Sequence, residues 1–132
     1  MLIGCNETFI KIEEISSAIE SITIYDLDGF RELEYSQNEL EKATKASLDI
    51  ILFRELAPLT HYSSSSPLWK GSSLAIVKLN NGKEIKIAIS YYGGFFSILG
   101  QKGYYYFEDS AKDKWNNIFM GIVQKNFVPN RI

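Results

Sequence analysis

Residues 74–79 make a nearly continuous apolar run and residues 84–89 carry isoleucine at every second position, on either side of Asn80-Asn81-Gly82-Lys83. In a strand, positions two apart share one face. An Asn-Gly pair between two such runs is a strong hairpin signal, because both residues tolerate the positive φ of a tight turn. Residues 95–99 and 104–107, around Gly100-Gln101-Lys102-Gly103, predict a second hairpin. Together they make an antiparallel meander, whose first hairpin has two possible registers. A turn on Asn81-Gly82 alone sets Leu74 and Ile76 on the face of Ile85, Ile87 and Ile89. A three-residue loop, Asn80-Asn81-Gly82, sets Ala75, Val77 and Leu79 there instead. The three isoleucines face the core in both.

Upstream, Ile15, Ala18, Ile19 and Ile22 fall at helical spacing, but residues 21–25 are β-branched and read as a strand. Asp28-Gly29 turns the chain into residues 30–35, giving a first hairpin. Ser36 and Glu39 form a capping box. Leu40, Ala43, Ser47, Leu48, Ile51 and Leu52 follow at three- and four-residue steps, predicting one helix over residues 36–56 that ends before Pro58. Residues 60–67, with four consecutive serines, read as a loop. Ser110 is expected to cap a last helix carrying Trp115, Ile118, Phe119 and Ile122 on one stripe. The order is β-β-α-β-β-β-β-α. It implies a single α+β domain over residues 1–132, an antiparallel sheet with helices packed on one face, with residues 1–8 as a flexible tether. Its expected core unites Ile85, Ile87 and Ile89 with Leu48, Leu52, Trp115 and Phe119.

Composition mainly adds exclusions. A chain of 132 residues, 45% apolar, can bury a core without disulfides. A net charge of −2 argues against dedicated nucleic-acid binding, which needs a basic footprint. The charge is unevenly placed: residues 1–66 hold 5 basic and 12 acidic side chains, residues 67–132 hold 9 and 4. The halves are expected to interleave and neutralise each other. The alternative is a lysine-bearing face (Lys70, Lys78, Lys83, Lys86, Lys102) that meets an acidic partner or an anionic membrane surface. One cysteine, Cys5, and one histidine, His61, rule out an internal disulfide and a Cys/His zinc site. No motif surrounds His61, and no catalytic residue, metal or cofactor is expected.

Residues 91–107 hold eight aromatics in seventeen positions. Alternation means they cannot all point inward, and half should build the core by cross-strand pairing. The rest form a tyrosine surface suited to a protein or saccharide contact. The candidate binding residues are Tyr91, Tyr92, Tyr104 and Tyr106, with Gly93-Gly94 allowing close backbone approach beside them. Tyr104 and Tyr106 should share one fate and Tyr105 the other.

Three resemblances bear on function. Leu2-Ile3-Gly4-Cys5 resembles the lipobox of bacterial lipoproteins, in which the cysteine is lipidated. With that start, the layout is similar to small bacterial lipoprotein domains. The resemblance implies lipidation of Cys5, and an extracytoplasmic, membrane-anchored domain if a signal peptide precedes Met1; otherwise the domain is cytoplasmic. Residues 22–29, an apolar strand ending in Asp26-Leu27-Asp28-Gly29, resemble the first motif of haloacid-dehalogenase-type phosphohydrolases. That implies a parallel sheet, magnesium, Asp26 as nucleophile and Asp28 as acid and base; the short spacing after Ser90 leaves no room for the helical crossovers such a sheet needs. Residues 107–119 resemble the end of a pleckstrin-homology-type domain, where a helix tryptophan, here Trp115, plugs a barrel. The leading expectation is a non-enzymatic binding domain. The alternatives are the phosphohydrolase and a cytoplasmic partner protein of the immunity type, which neutralises a toxin.

Overall fold

A computed structural model describes residues 12–65, 67, 69, 71–91 and 94–127. Among these, seven strands form one sheet in the order β2-β1-β4-β5-β6-β7-β3, and every pairing between them is antiparallel. The strands are β1 (Ile19–Tyr25), β2 (Lys45–Leu48), β3 (Thr60–Ser63), β4 (Ser72–Leu79), β5 (Glu84–Ser90), β6 (Phe95–Ile98) and β7 (Tyr104–Phe107). Helices α1 (Ile12–Ser16), α2 (Gln37–Lys42), α3 (Ile50–Leu56) and α4 (Asp109–Asn126) complete the α+β fold.

The meander forms as expected, and the hairpin takes the three-residue loop. Ala75 lies opposite Ile87 and Val77 opposite Ile85, while Leu79 N–H donates to the Lys83 carbonyl at 2.8 Å. Gly82 supplies the positive φ, +90°, that this loop requires at its last position.

One face of the sheet carries the core. Ile22, Ile24, Leu48, Val77, Ile87, Ile89 and Phe96 meet Ile12 of α1, Phe53 and Leu56 of α3, and the stripe Ala111, Trp115, Phe119, Val123 of α4. That stripe repeats every four residues and is at most 1% exposed. It keeps Trp115 and Phe119 of the expected stripe and puts Ala111 and Val123 beside them in place of Ile118 and Ile122, which are half-buried. The helix begins with Glu108 as its N-cap, so Ser110 lies inside it. Eighteen residues span about 27 Å, enough to touch both β7 and β2 across the four strands between them. Among the described residues the sheet is open, with β2 and β3 at its edges; Trp115 packs on a face and no barrel closes around it.

Three segments depart from the expected elements, each for an identifiable reason. Residues 30–35 are no strand: residues 30–34 belong to a 3-10 turn, Gly29–Glu34, and Tyr35 is its C-cap. Asp28 Oδ1 caps it by accepting from Phe30 N–H at 3.0 Å. Gly29 lies so close to β5 that a Cβ would stand 2.6 Å from that of Ala88. The turn thus lies on the sheet face opposite α4, so the core-forming helices share one face while this turn covers part of the other.

The helix expected over 36–56 divides. Its capping box is present in both directions, Ser36 Oγ accepting from Glu39 N–H and Glu39 Oε1 from Ser36 N–H. At Ala43, however, the backbone turns extended. Lys45 Nζ donates to the α2 carbonyls of Glu41 at 2.9 Å and Ala43 at 3.2 Å, a C-terminal cap. Residues 45–48 then pair with the free edge of β1. Asp49 restarts helical structure as an N-cap, accepting from Ile51 N–H at 2.8 Å. Leu52 is consequently half-buried outside the core cluster, and Phe53 takes its place inside. Ile85, at the start of β5, is also only half-buried.

The expected loop at 60–67 begins with edge strand β3, paired to β7. The helical spacing from Ile15 to Ile22 has its own cause: a register shift between Ile19 and Ser21 lets Ile19 and Ile22 face the same side of a strand. Arg54 ties α1 and β1 together, donating to the carbonyls of Ser16 at 2.9 Å and Ile19 at 3.1 Å.

The two charge-biased halves interleave. Lys78 pairs with Glu20, Lys86 with Glu32 and Lys114 with Glu55, each a base of the second half on an acid of the first. Lys78 and Lys86 are thus engaged within the domain, and Lys70 lies outside the described residues.

Candidate functional site

On the face away from α4, alternation collects the side chains that the core excludes. In β6 and β7, Phe96, Tyr105 and Phe107 point to the core, leaving Phe95, Tyr104 and Tyr106 on the other face. The register sets Phe95 opposite Tyr106, and Tyr106 opposite His61 of β3. Two residues from outside the meander extend this row. Trp69 stands edge-on to Phe95, and Phe30, on the 3-10 turn, stands edge-on to Trp69, both with centroids 4.6 Å apart. Phe95–Tyr104, Tyr104–Tyr106 and Tyr106–His61 continue at 5.4, 5.8 and 5.6 Å. The result is a band of six rings crossing the face from the turn to the edge strand. Its ends are open: Phe30 is 50% exposed and the His61 side chain 55%, with Tyr106 beside it at 39%. Phe95, in the middle, is buried between its neighbours.

The four candidate tyrosines divide. Tyr104 and Tyr106 lie together in the band, while Tyr105 is inside, stacked on Phe96 and accepting from Gln101 Nε2 at 2.7 Å. Tyr91 is corrected from surface to core: it is 4% exposed, stacks on Phe119, and is closely approached by Gly71. Tyr92 and Cys5 lie outside the described residues. Phe95 was legible from alternation, as the out-facing neighbour of Phe96. Phe30, Trp69 and His61 reach the band from distant segments, and no local pattern announced them.

Beside the band, the 3-10 turn walls a groove of about 640 Å³. Its lining includes Phe30, Leu33 and Leu99, with Glu84 and Lys86 of β5 below. Lys86 Nζ meets Glu32 Oε2 at 2.7 Å. A smaller pocket of about 260 Å³ continues from Glu84 and Lys86 to Tyr25 and Lys45. Burial raises the Tyr25 hydroxyl pKa above its ordinary value, the Glu84 carboxylate adds to this, and Lys86 opposes it. The fold thus favours neutral Tyr25. Its contribution to stability is complete below about pH 10 and is lost as pH rises through the raised value. In a spectrophotometric titration the late-ionising part of the tyrosine curve should shrink in Tyr25→Phe; a late part of unchanged size in that variant would contradict the assignment.

The acidic motif serves the turn. Asp28 Oδ1 accepts from Ser72 Oγ at 2.9 Å as well as from Phe30 N–H, and Ser72 Oγ accepts from Gly29 N–H at 3.1 Å. Asp26 is 7% exposed, with its N–H donating to the Thr44 carbonyl. The parallel sheet implied by the phosphohydrolase resemblance is not the sheet that forms. His61 Nε2 lies 3.0 Å from Glu108 Oε2 on the surface. Among the described residues, no group of three or more His, Cys, Asp or Glu could hold a metal ion. No described helix is long and apolar enough to cross a membrane. No protein-family model, curated protein or solved structure matches this chain.

Proposed function

We propose that this chain is a non-enzymatic binding domain that docks a partner protein on the aromatic band of its sheet. The supporting observation is the unbroken row from Phe30 through Trp69, Phe95 and Tyr104 to Tyr106, outside the core and open at both ends. Rings of this type carry large contact area at low entropic cost and dominate binding energy at interfaces. Between the two contact types expected, the ring geometry favours protein. Phe30, Trp69 and Phe95 meet at interplanar angles of 84° and 80°. They present edges and pockets in place of the shared flat platform on which a sugar ring stacks.

The test is capture from a lysate of the encoding organism, comparing wild type with Trp69→Ala, Tyr104→Ser and Tyr106→Ser. Ile51→Ser, at an exposed apolar residue elsewhere, is the control. A partner held by wild type and the control should be lost by the band variants, each weakening binding at least about tenfold. Equal capture by all of them would overturn the reading. The same protein should hydrolyse p-nitrophenyl phosphate with magnesium no faster than buffer does. Hydrolysis abolished by Asp26→Asn would replace the binding domain with the phosphohydrolase.

A further inference from the structure

The turn at 29–34 both walls the groove and projects from it. Leu33 is 94% exposed, and Phe30 on the same turn is half-exposed. The charges of this patch are also of both signs. Among the described residues Arg31 is ion-paired only with its neighbour Glu34, at 2.9 Å on the open surface. Below, Lys86 is taken by Glu32, and Glu84 has no ion pair among the described residues. Exposed ion pairs like Arg31–Glu34 contribute little and exchange readily.

A two-fold interface brings a patch onto a copy of itself, so one patch must hold projection and recess, cation and anion. This patch holds all four. We propose that the groove is a self-association surface, in which Leu33 of each copy seats against Phe30 and Leu99 of the other. Arg31 of each copy then faces Glu84 of the other. One turn and one groove bury less than the ~1,000 Å² or more of a lasting interface, so the dimer is weak, with a dissociation constant on the order of 10–100 μM. Phe30 belongs to both surfaces, and Tyr104 and Tyr106, at the other end of the band, are the positions that separate this inference from the partner reading.

Sedimentation of the full chain from about 1 μM to about 1 mM, a range that brackets the expected constant, should show mass rising toward the dimer. Leu33→Asp should remain monomeric with an unchanged unfolding midpoint, because the side chain is in solvent. Glu84→Arg should weaken association about tenfold or more, and Arg31→Glu combined with Glu84→Arg should restore it. Tyr106→Ser should leave association intact. A wild type that is monomeric throughout, or a dimer that survives Leu33→Asp, overturns the inference. A monomeric wild type whose partner capture is lost in Leu33→Asp would assign the groove to that partner and also overturn it. A double variant that stays monomeric would overturn the Arg31–Glu84 pairing.

Discussion

Trp115→Ala should lower the free energy of unfolding by about 3–5 kcal/mol, the range for deleting a buried aromatic side chain. The ring is 1% exposed at the junction of three parts of the fold. Phe107 of β7 stacks on it at 4.7 Å, Phe53 of α3 lies at 6.1 Å, and Phe96 of β6 and Phe119 of its own helix both at 6.4 Å. Paired strands cannot collapse into the resulting void without breaking their ladder, so much of the cavity should persist. Against a typical total of about 5–15 kcal/mol, this is a large share. Trp115 Nε1 has no hydrogen-bond partner among the described residues. Trp115→Phe removes that unpaired donor while keeping a ring, and should recover at least half the loss. Denaturant unfolding measures both; a cost below about 1 kcal/mol for Trp115→Ala would mean the core is organised elsewhere.

Phe53→Ala should also cost about 3–5 kcal/mol, while its neighbour Leu52→Ala should cost far less. Phe53 is 1% exposed and lies 6.2 Å from Phe96 and 6.1 Å from Trp115. Leu52 is half-buried at the margin. The pair separates two ways of folding residues 36–56. A single continuous helix buries Leu52 with Leu48; a strand followed by a new helix at Asp49 buries Phe53 with Leu56. Equal losses at the two positions, or a larger one at Leu52, would contradict the division of this segment.

What the sequence by itself determined is whatever neighbouring residues decide among themselves. Apolar and aromatic runs on either side of residues 80–83 and 100–103 dictate two hairpins, and a strand's faces exchange at every residue. Asn81-Gly82 marks the turn, Ser36 and Glu39 cap a helix reciprocally, and the run to Phe119 forms a helix on one apolar stripe. The opposite fates of Tyr104 and Tyr105 follow from the same period. Tertiary structure decided what depends on which edges and faces remain uncovered. Residues 45–48 satisfy either period over so short a span, and the free edge of β1 draws them into a strand. The turn at 29–34 is set by the space above Ala88 and by Ser72, 43 residues away from Gly29. The hairpin register, left open by the pattern, is settled by which residues meet the core helices. The aromatic band and groove belong entirely to this second kind. Phe30, Trp69, Phe95 and His61 come from four separate segments, and only the pairing of β3 with β7 and the seating of the turn on β5 bring them to one face. Short-range hydrogen bonds and side-chain periods are written in local sequence, whereas a surface assembled from distant strands depends on the burial of the whole sheet.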